Sequence, residues 1–253
     1  MVRVFILSLG VFVMLSGIPA MAADPGESPS RQDWSFQGIF GTYDRAAMQR
    51  GFLVYKQVCA ACHSMSLLSY RNLEALGYTE AQINNIAADY IVIDGPNDEG
   101  DMYERPARAS DRFVDPYENP QAAAFANNGA YPPDMSLIAK ARHYGADYLY
   151  ALLTGYEEAP EGETLLPGQY WNRYMPGHII SMAPPLADGM INYEDGAPET
   201  MSQYARDVTH FLAWAAEPHM EKRKQTGIMA FLFLLAFTLV MYGVKRRIWA
   251  DQH

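Results

Sequence analysis

The sequence predicts an all-α domain with long irregular loops, followed by one membrane-spanning helix. Three observations predict it. Behind Asp44, the apolar positions Met48, Phe52, Tyr55 and Cys59 recur at three- and four-residue spacing, one face of a helix. The stretch 199–216 repeats the pattern through Met201, Tyr204, Val208, Phe211, Leu212 and Ala215. Residues 225–244 then carry no charge at all. At 1.5 Å per residue that run is about 30 Å long, enough to cross the hydrocarbon layer of a bilayer. The 49% hydrophobic composition excludes a disordered chain, and the net charge of −10 argues against a nucleic-acid partner. Nothing repeats at a fixed period, and neither a glycine-rich phosphate loop nor a serine-nucleophile motif is present.

The chain divides into four parts. Residues 1–23 read as a secretory signal. Arg3 leads an apolar run from Val4 to Met14, and Ala20-Met21-Ala22-Ala23 supplies a small-residue cleavage pattern. An uncleaved N-terminal anchor is the alternative. Residues 24–221 form the exported domain, 225–244 the transmembrane anchor, and 245–253 a cytoplasmic tail. Lys222, Arg223 and Lys224 precede the anchor, and Lys245, Arg246 and Arg247 follow it. The cations are symmetric, so export of the bulk of the chain, not the positive-inside rule, sets the orientation. The exported part holds 12 Lys and Arg against 28 Asp and Glu, a balance of −16 that attracts cationic proteins.

The first helix delivers Cys59-Ala60-Ala61-Cys62-His63, the spacing of covalent haem attachment. Each thiol adds to one vinyl group, and the histidine is placed beneath the iron. These are the only two cysteines in the chain, so no disulfide competes for them. A thioredoxin-like redox motif would need a preceding strand, and a structural zinc site would need more ligands nearby. Covalent attachment of one haem c is the expected cofactor chemistry. Tyr55, one turn earlier, either lines the haem pocket or fills the core.

Further along, Thr79 and Gln82 form a capping box that opens a helix to about Tyr90. Residues 94–120 are an acidic loop carrying Asp94, Asp98, Glu99, Asp101, Glu104, Asp111, Asp115 and Glu118. It is either a solvated loop or part of a docking face. The stretch from Asn127 to Ser136 reads as a rigid turn leading into a helix capped by Asp134. A carbonyl of its Pro132-Pro133 pair is placed to accept the second ring N–H of His63. Residues 146–153 form a short helix closed by Gly155, and 156–199 are rich in Gly and Pro. A haem held by one histidine needs a decision at its other face. Met182, stiffened by Pro184 and Pro185, competes there with Met175, Met190 and His178.

Several motifs together resemble the cytochrome c1 family, the c-type haem subunits of ubiquinol–cytochrome c oxidoreductase (complex III). They are Arg50-Gly51-Phe52, Val54 to Cys59, Cys62-His63-Ser64-Met65, Asp94-Gly95-Pro96-Asn97, Ala126-Asn127-Asn128-Gly129-Ala130 with Pro132-Pro133-Asp134, and Leu153-Thr154-Gly155-Tyr156. Met182-Ala183-Pro184-Pro185, Met201-Ser202-Gln203, Phe211-Leu212, Trp214-Ala215, Glu217-Pro218 and the final helix continue the series in the family's order.

The resemblance implies a c-type cytochrome haem domain of the bacterial type. Cys59 and Cys62 would hold the haem, His63 and Met182 would be its axial ligands, and Tyr55, Asn127, Pro132 and Pro133 would border its pocket. It implies an electron-transfer subunit, not a catalyst on its own, fed by a Rieske iron–sulfur protein. The acceptor would be a basic soluble or tethered cytochrome c. The anchor would lie in membrane lipid beside cytochrome b in a dimeric complex. The haem domain would face the periplasm from a bacterial inner membrane, with the C-terminus cytoplasmic. The sequence departs from the family at Ala122-Ala123-Ala124-Phe125-Ala126, where many relatives carry an arginine near a haem propionate. It also lacks the cysteines for the extra disulfide of some bacterial relatives. Two other functions fit the residues alone: an anchored cytochrome c feeding a terminal oxidase, and a haem-based sensor.

Overall fold

A computed structural model describes residues 26–252; the expected signal segment at 1–23 lies outside them, as does His253. Helix α1 (Arg45–Gln57) starts where Asp44 accepts a hydrogen bond from the Ala47 amide at 3.1 Å. It crosses α6 (Met201–Ala216), and this pair centres the core. The crossing is close because position 51 is glycine. A Cβ there would lie 2.0 Å from the Asp207 carbonyl oxygen. One residue on, the Phe52 and Phe211 rings meet at 5.6 Å, and the Tyr55 ring lies 5.7 Å from Phe211.

The same crossing carries a buried ion pair. The Arg50 Nε and Nη2 donate to the two carboxylate oxygens of Asp207 at 2.8 and 3.0 Å. Gln203 Nε2 donates to both oxygens as well, and the third Arg50 nitrogen reaches Asp195 at 2.6 Å. Asp207 is 1% exposed, so its charge depends on these partners.

After α1 come two 3-10 turns, Cys59–Ala61 and Tyr70–Leu76, then α2 (Glu80–Ala88), opened by the expected Thr79–Gln82 capping box. The all-α expectation needs correction here. Strands β1 (Ile91–Asp94) and β2 (Tyr103–Pro106) pair antiparallel; β2 lies inside the segment expected to be a loop, and β1 ends where that segment begins. Arg105 ties them down by donating to Asp94 at 2.5 Å and to Asp111 at 2.6 Å. Two of the eight acidic residues are thus internal partners, while Asp98, Glu99, Asp101 and Glu104 remain exposed. Helices α3 (Pro120–Ala126), α4 (Ile138–Ala141) and α5 (Ala146–Thr154) follow. A second sheet holds β3 (Tyr156–Glu157), β4 (Tyr170–Asn172) and β5 (Ile179–Ile180) in that order. Strands of two or three residues are too short to show an alternating pattern.

Pro218 separates α6 from α7 (Met220–Ile248), which contains the apolar run as one helix. Within the described residues it is the single helix long and apolar enough to span a bilayer. The stretch 26–43 is irregular, yet it is packed as a strap. Trp34 is buried, donates its indole N–H to Asp147 and stacks on Phe36. The Tyr43 hydroxyl donates to the Glu217 carbonyl at 3.0 Å, and Glu221 pairs with Arg45 at 2.7 Å.

Candidate cofactor site

The two thiols sit just past the C-terminal end of α1. The Cys62 and His63 amides both donate to the Cys59 carbonyl, at 3.1 and 2.9 Å, closing a tight turn that fixes the spacing of thiols and ring. Neither cysteine is in a disulfide. Burial, and next the neighbouring Cys62, pushes the Cys59 thiol up to about 12. Reactive redox thiols have depressed values, set by helix N-termini or nearby cations. This one is at a helix C-terminus, where the dipole opposes a thiolate. Among the described residues there is also no cluster of three or more His, Cys, Asp or Glu able to hold a metal ion.

His63 is fixed from both ends. Its Nδ1 lies 2.8 Å from the Pro133 carbonyl oxygen. A carbonyl can only accept, so Nδ1 carries the proton and Nε2 keeps its lone pair for a metal. Burial lowers the pKa of the ring, keeping it neutral. From the helix side, the buried Tyr55 hydroxyl donates to the His63 carbonyl at 3.1 Å. Tyr55 belongs to the core cluster and lines a cavity of about 190 Å³ with Phe52, Tyr70 and Phe113.

Asp134 locks the histidine loop to the proline turn. It accepts from the Ser64 hydroxyl, from the Ser66 amide and hydroxyl, and from the Ser136 amide, all at 2.8–2.9 Å. It was expected to cap a helix; instead the helix starts at Ile138 and Asp134 spends its oxygens on serines across the site. Burial alone would raise its pKa, but the hydrogen bonds from Ser136 and Ser66 outweigh that and pull it down to about 2. An unfolded aspartate titrates near 3.8. The stability gained from the ionised form is therefore present above about pH 4 and lost as pH falls toward 2. Asp134→Asn should destabilise the protein at neutral pH and flatten the acid limb between pH 4 and 2 in a pH series of thermal melts. An unchanged acid limb would remove Asp134 from this role.

Beyond Cys62 a second cavity of about 190 Å³ opens between Tyr117, Ala123, Tyr131 and Pro132. The Tyr117 hydroxyl lies 3.9 Å from the Cys62 sulfur and accepts from the Asn127 side-chain amide at 3.1 Å. Asn127 also donates to the Ala123 carbonyl at 2.7 Å, so it shapes the wall from behind Tyr117. Met182 is half-buried after β5, and its backbone carbonyl accepts from the Tyr156 hydroxyl at 3.1 Å. Its competitors are otherwise engaged or outside. The Met175 sulfur is 3.8 Å from the Tyr148 hydroxyl, Met190 is exposed, and the His178 ring stacks on Trp171 at 4.9 Å. Sequence reasoning missed Tyr117, Tyr156 and the three serines. Tyr117, Tyr156, Ser64 and Ser66 act across the fold, so local spacing gives them no role, whereas Ser136 binds Asp134 from only two residues away. Two separate thiols, a neutral imidazole with Nε2 available and a cavity beside Cys62 fit a covalently attached haem.

Comparison with known proteins agrees with this chemistry. The family model described as the cytochrome C1 family matches residues 34–252. The chain is 44% identical to a protein named cytochrome c1 from Rhodospirillum rubrum, covering 94% of each. It is 49% identical to "Cytochrome c1 1, heme protein, mitochondrial" from Arabidopsis thaliana, over 96% of this chain and 80% of that one. A protein named cytochrome b/c1 from Bradyrhizobium diazoefficiens is 47% identical; all of this chain is covered, but it spans only 40% of that relative's length.

Proposed function

Because this chain belongs to the cytochrome c1 family, we propose that it is the haem-bearing electron-transfer subunit of a ubiquinol–cytochrome c oxidoreductase. It accepts one electron at a time from a Rieske iron–sulfur protein and passes it to a cytochrome c. The observation that carries this reading is the His63–Pro133 hydrogen bond beside two unpaired thiols. Cys59 and Cys62 would hold one haem c through their sulfurs, and His63 and Met182 would ligate its iron. When bound, the haem supplies a one-electron couple whose potential methionine ligation raises. The protein's share is to fill both axial positions, keep His63 neutral and hold the loops still. Asp134, Tyr55 and Tyr156 do the holding.

Residues 24–221 face the periplasm, 225–244 cross the inner membrane beside cytochrome b in a dimeric complex, and 245–253 stay cytoplasmic. The exposed Asp98, Glu99, Asp101 and Glu104 and the −16 balance support docking of a basic cytochrome c. Purification through a tag on this chain should bring a cytochrome b and an iron–sulfur protein in equal amounts. Recovery with a terminal oxidase alone would replace the proposal with the oxidase-linked function.

A further inference from the structure

The strap that precedes α1 ends in a loop whose tip is apolar and faces outward. The Thr42 amide donates to the Ser35 carbonyl and the Gln37 amide to the Trp34 carbonyl, both at 3.0 Å, so the loop is closed by its own backbone. Its base is sealed by Phe36, which packs against Trp34, Tyr43 and His210. Ile39 and Phe40 at the tip are 68% and 84% exposed. A loop held this firmly does not expose two large apolar side chains through looseness.

Its position tells what they face. Lys224 donates from Nζ to the Phe36 and Gly41 carbonyls at 2.8 and 2.9 Å, one on each leg of the loop. Lys224 is the last charged residue before the apolar span, so the tip stands at the level where α7 leaves the domain. From residue 225 through 251 every residue is exposed except Ile228. Ile228 is one turn beyond Lys224 on the same helix face, the face to which the loop is tied. The loop is thus tied to the face of α7 that continues into the apolar run. Lys222 is exposed at the same level, and Arg223 beside it pairs with Glu217.

We propose that Ile39 and Phe40 are inserted into the headgroup–acyl boundary of the leaflet on the domain side, as a second contact with the bilayer beside the anchor. Aromatic and aliphatic residues at this depth gain apolar burial without crossing the membrane. A single helix leaves a domain free to swing. A second contact some residues away fixes its tilt, and with it the direction in which the cofactor site points. The inference rests on α7 as a membrane span.

The test is nitroxide labelling of the full-length, haem-attached protein in nanodiscs of phosphatidylethanolamine and phosphatidylglycerol. Haem attachment consumes Cys59 and Cys62, so Phe40→Cys, Phe233→Cys and Glu74→Cys each offer one thiol. Collisions with oxygen report lipid, and collisions with a water-soluble nickel chelate report solvent. The expected oxygen-to-nickel ratio at position 40 is severalfold above that at 74 and below that at 233. A solvent profile at 40 with a lipid profile at 233 overturns the inference and leaves the anchor intact. Shielding of position 40 from both reagents also overturns it, since protein would then cover the tip. Solvent profiles at both 40 and 233 overturn the span itself, and the inference with it.

Discussion

Replacing Met182 with leucine lowers the midpoint potential of the attached haem by a few tenths of a volt, on the scale of the ~0.8 V that axial ligands span. Leucine keeps the bulk of the side chain and removes the sulfur. The ferrous iron then has one open position, so carbon monoxide binds rapidly where the parent protein excludes it. The reasons lie in the loop. Met182 is half-buried and its carbonyl is fixed by Tyr156, whereas the Met175 sulfur lies 3.8 Å from the Tyr148 hydroxyl, the His178 ring stacks on Trp171 and Met190 is exposed. Redox titration of Met182→Leu beside Met175→Leu separates these candidates. If Met175→Leu shifts the potential and Met182→Leu does not, the ligand assignment fails. If neither shifts and the parent protein already binds carbon monoxide, the protein is a sensor, not a carrier.

Arg50→Met should cost about 3–5 kcal/mol of stability, the usual penalty for stranding one partner of a buried ion pair. For a chain of this size that is a fall in melting temperature of roughly 10 °C. Arg50 is 16% exposed and Asp207 only 1%, so water cannot take over the lost hydrogen bonds. Asp195, at 45% exposure, contributes little to the penalty. The double variant Arg50→Met with Asp207→Leu removes both charges and should recover most of the loss. A double variant as unstable as the sum of both single ones would show that the pair is not coupled. The clamp matters to function because α1 carries the thiols. Where α1 meets α6 sets where Cys59, Cys62 and His63 stand.

The parts of the fold that depend on local chemistry were legible in the sequence. The Asp44 and Thr79 caps, the helical faces of α1 and α6, and the apolar run of α7 each follow from residues within one or two turns. The Cys59–His63 motif was legible for the same reason, as was the carbonyl partner of His63, since Pro132-Pro133 offers carbonyls and lacks amides. What stayed hidden is long-range. The β1–β2 hairpin is held by Arg105, whose charge vanishes in a run dominated by acidic residues. Asp134 resembles a helix cap, and two of its serine partners, Ser64 and Ser66, lie about 70 residues away. The strap at 26–43 reads as a linker because its glycine, serine and proline mask two buried anchors, Trp34 and Tyr43. Met182 led four candidates through its proline-stiffened setting, and the family resemblance raised it well above the other three.

The central claim is that this chain takes electrons from quinol oxidation through an iron–sulfur protein. The most direct measurement is haem reduction by ubiquinol in isolated membranes, with and without an inhibitor of the quinol-oxidation site. Fast reduction that the inhibitor abolishes is the expected result. Reduction that continues unchanged in the presence of the inhibitor would contradict it.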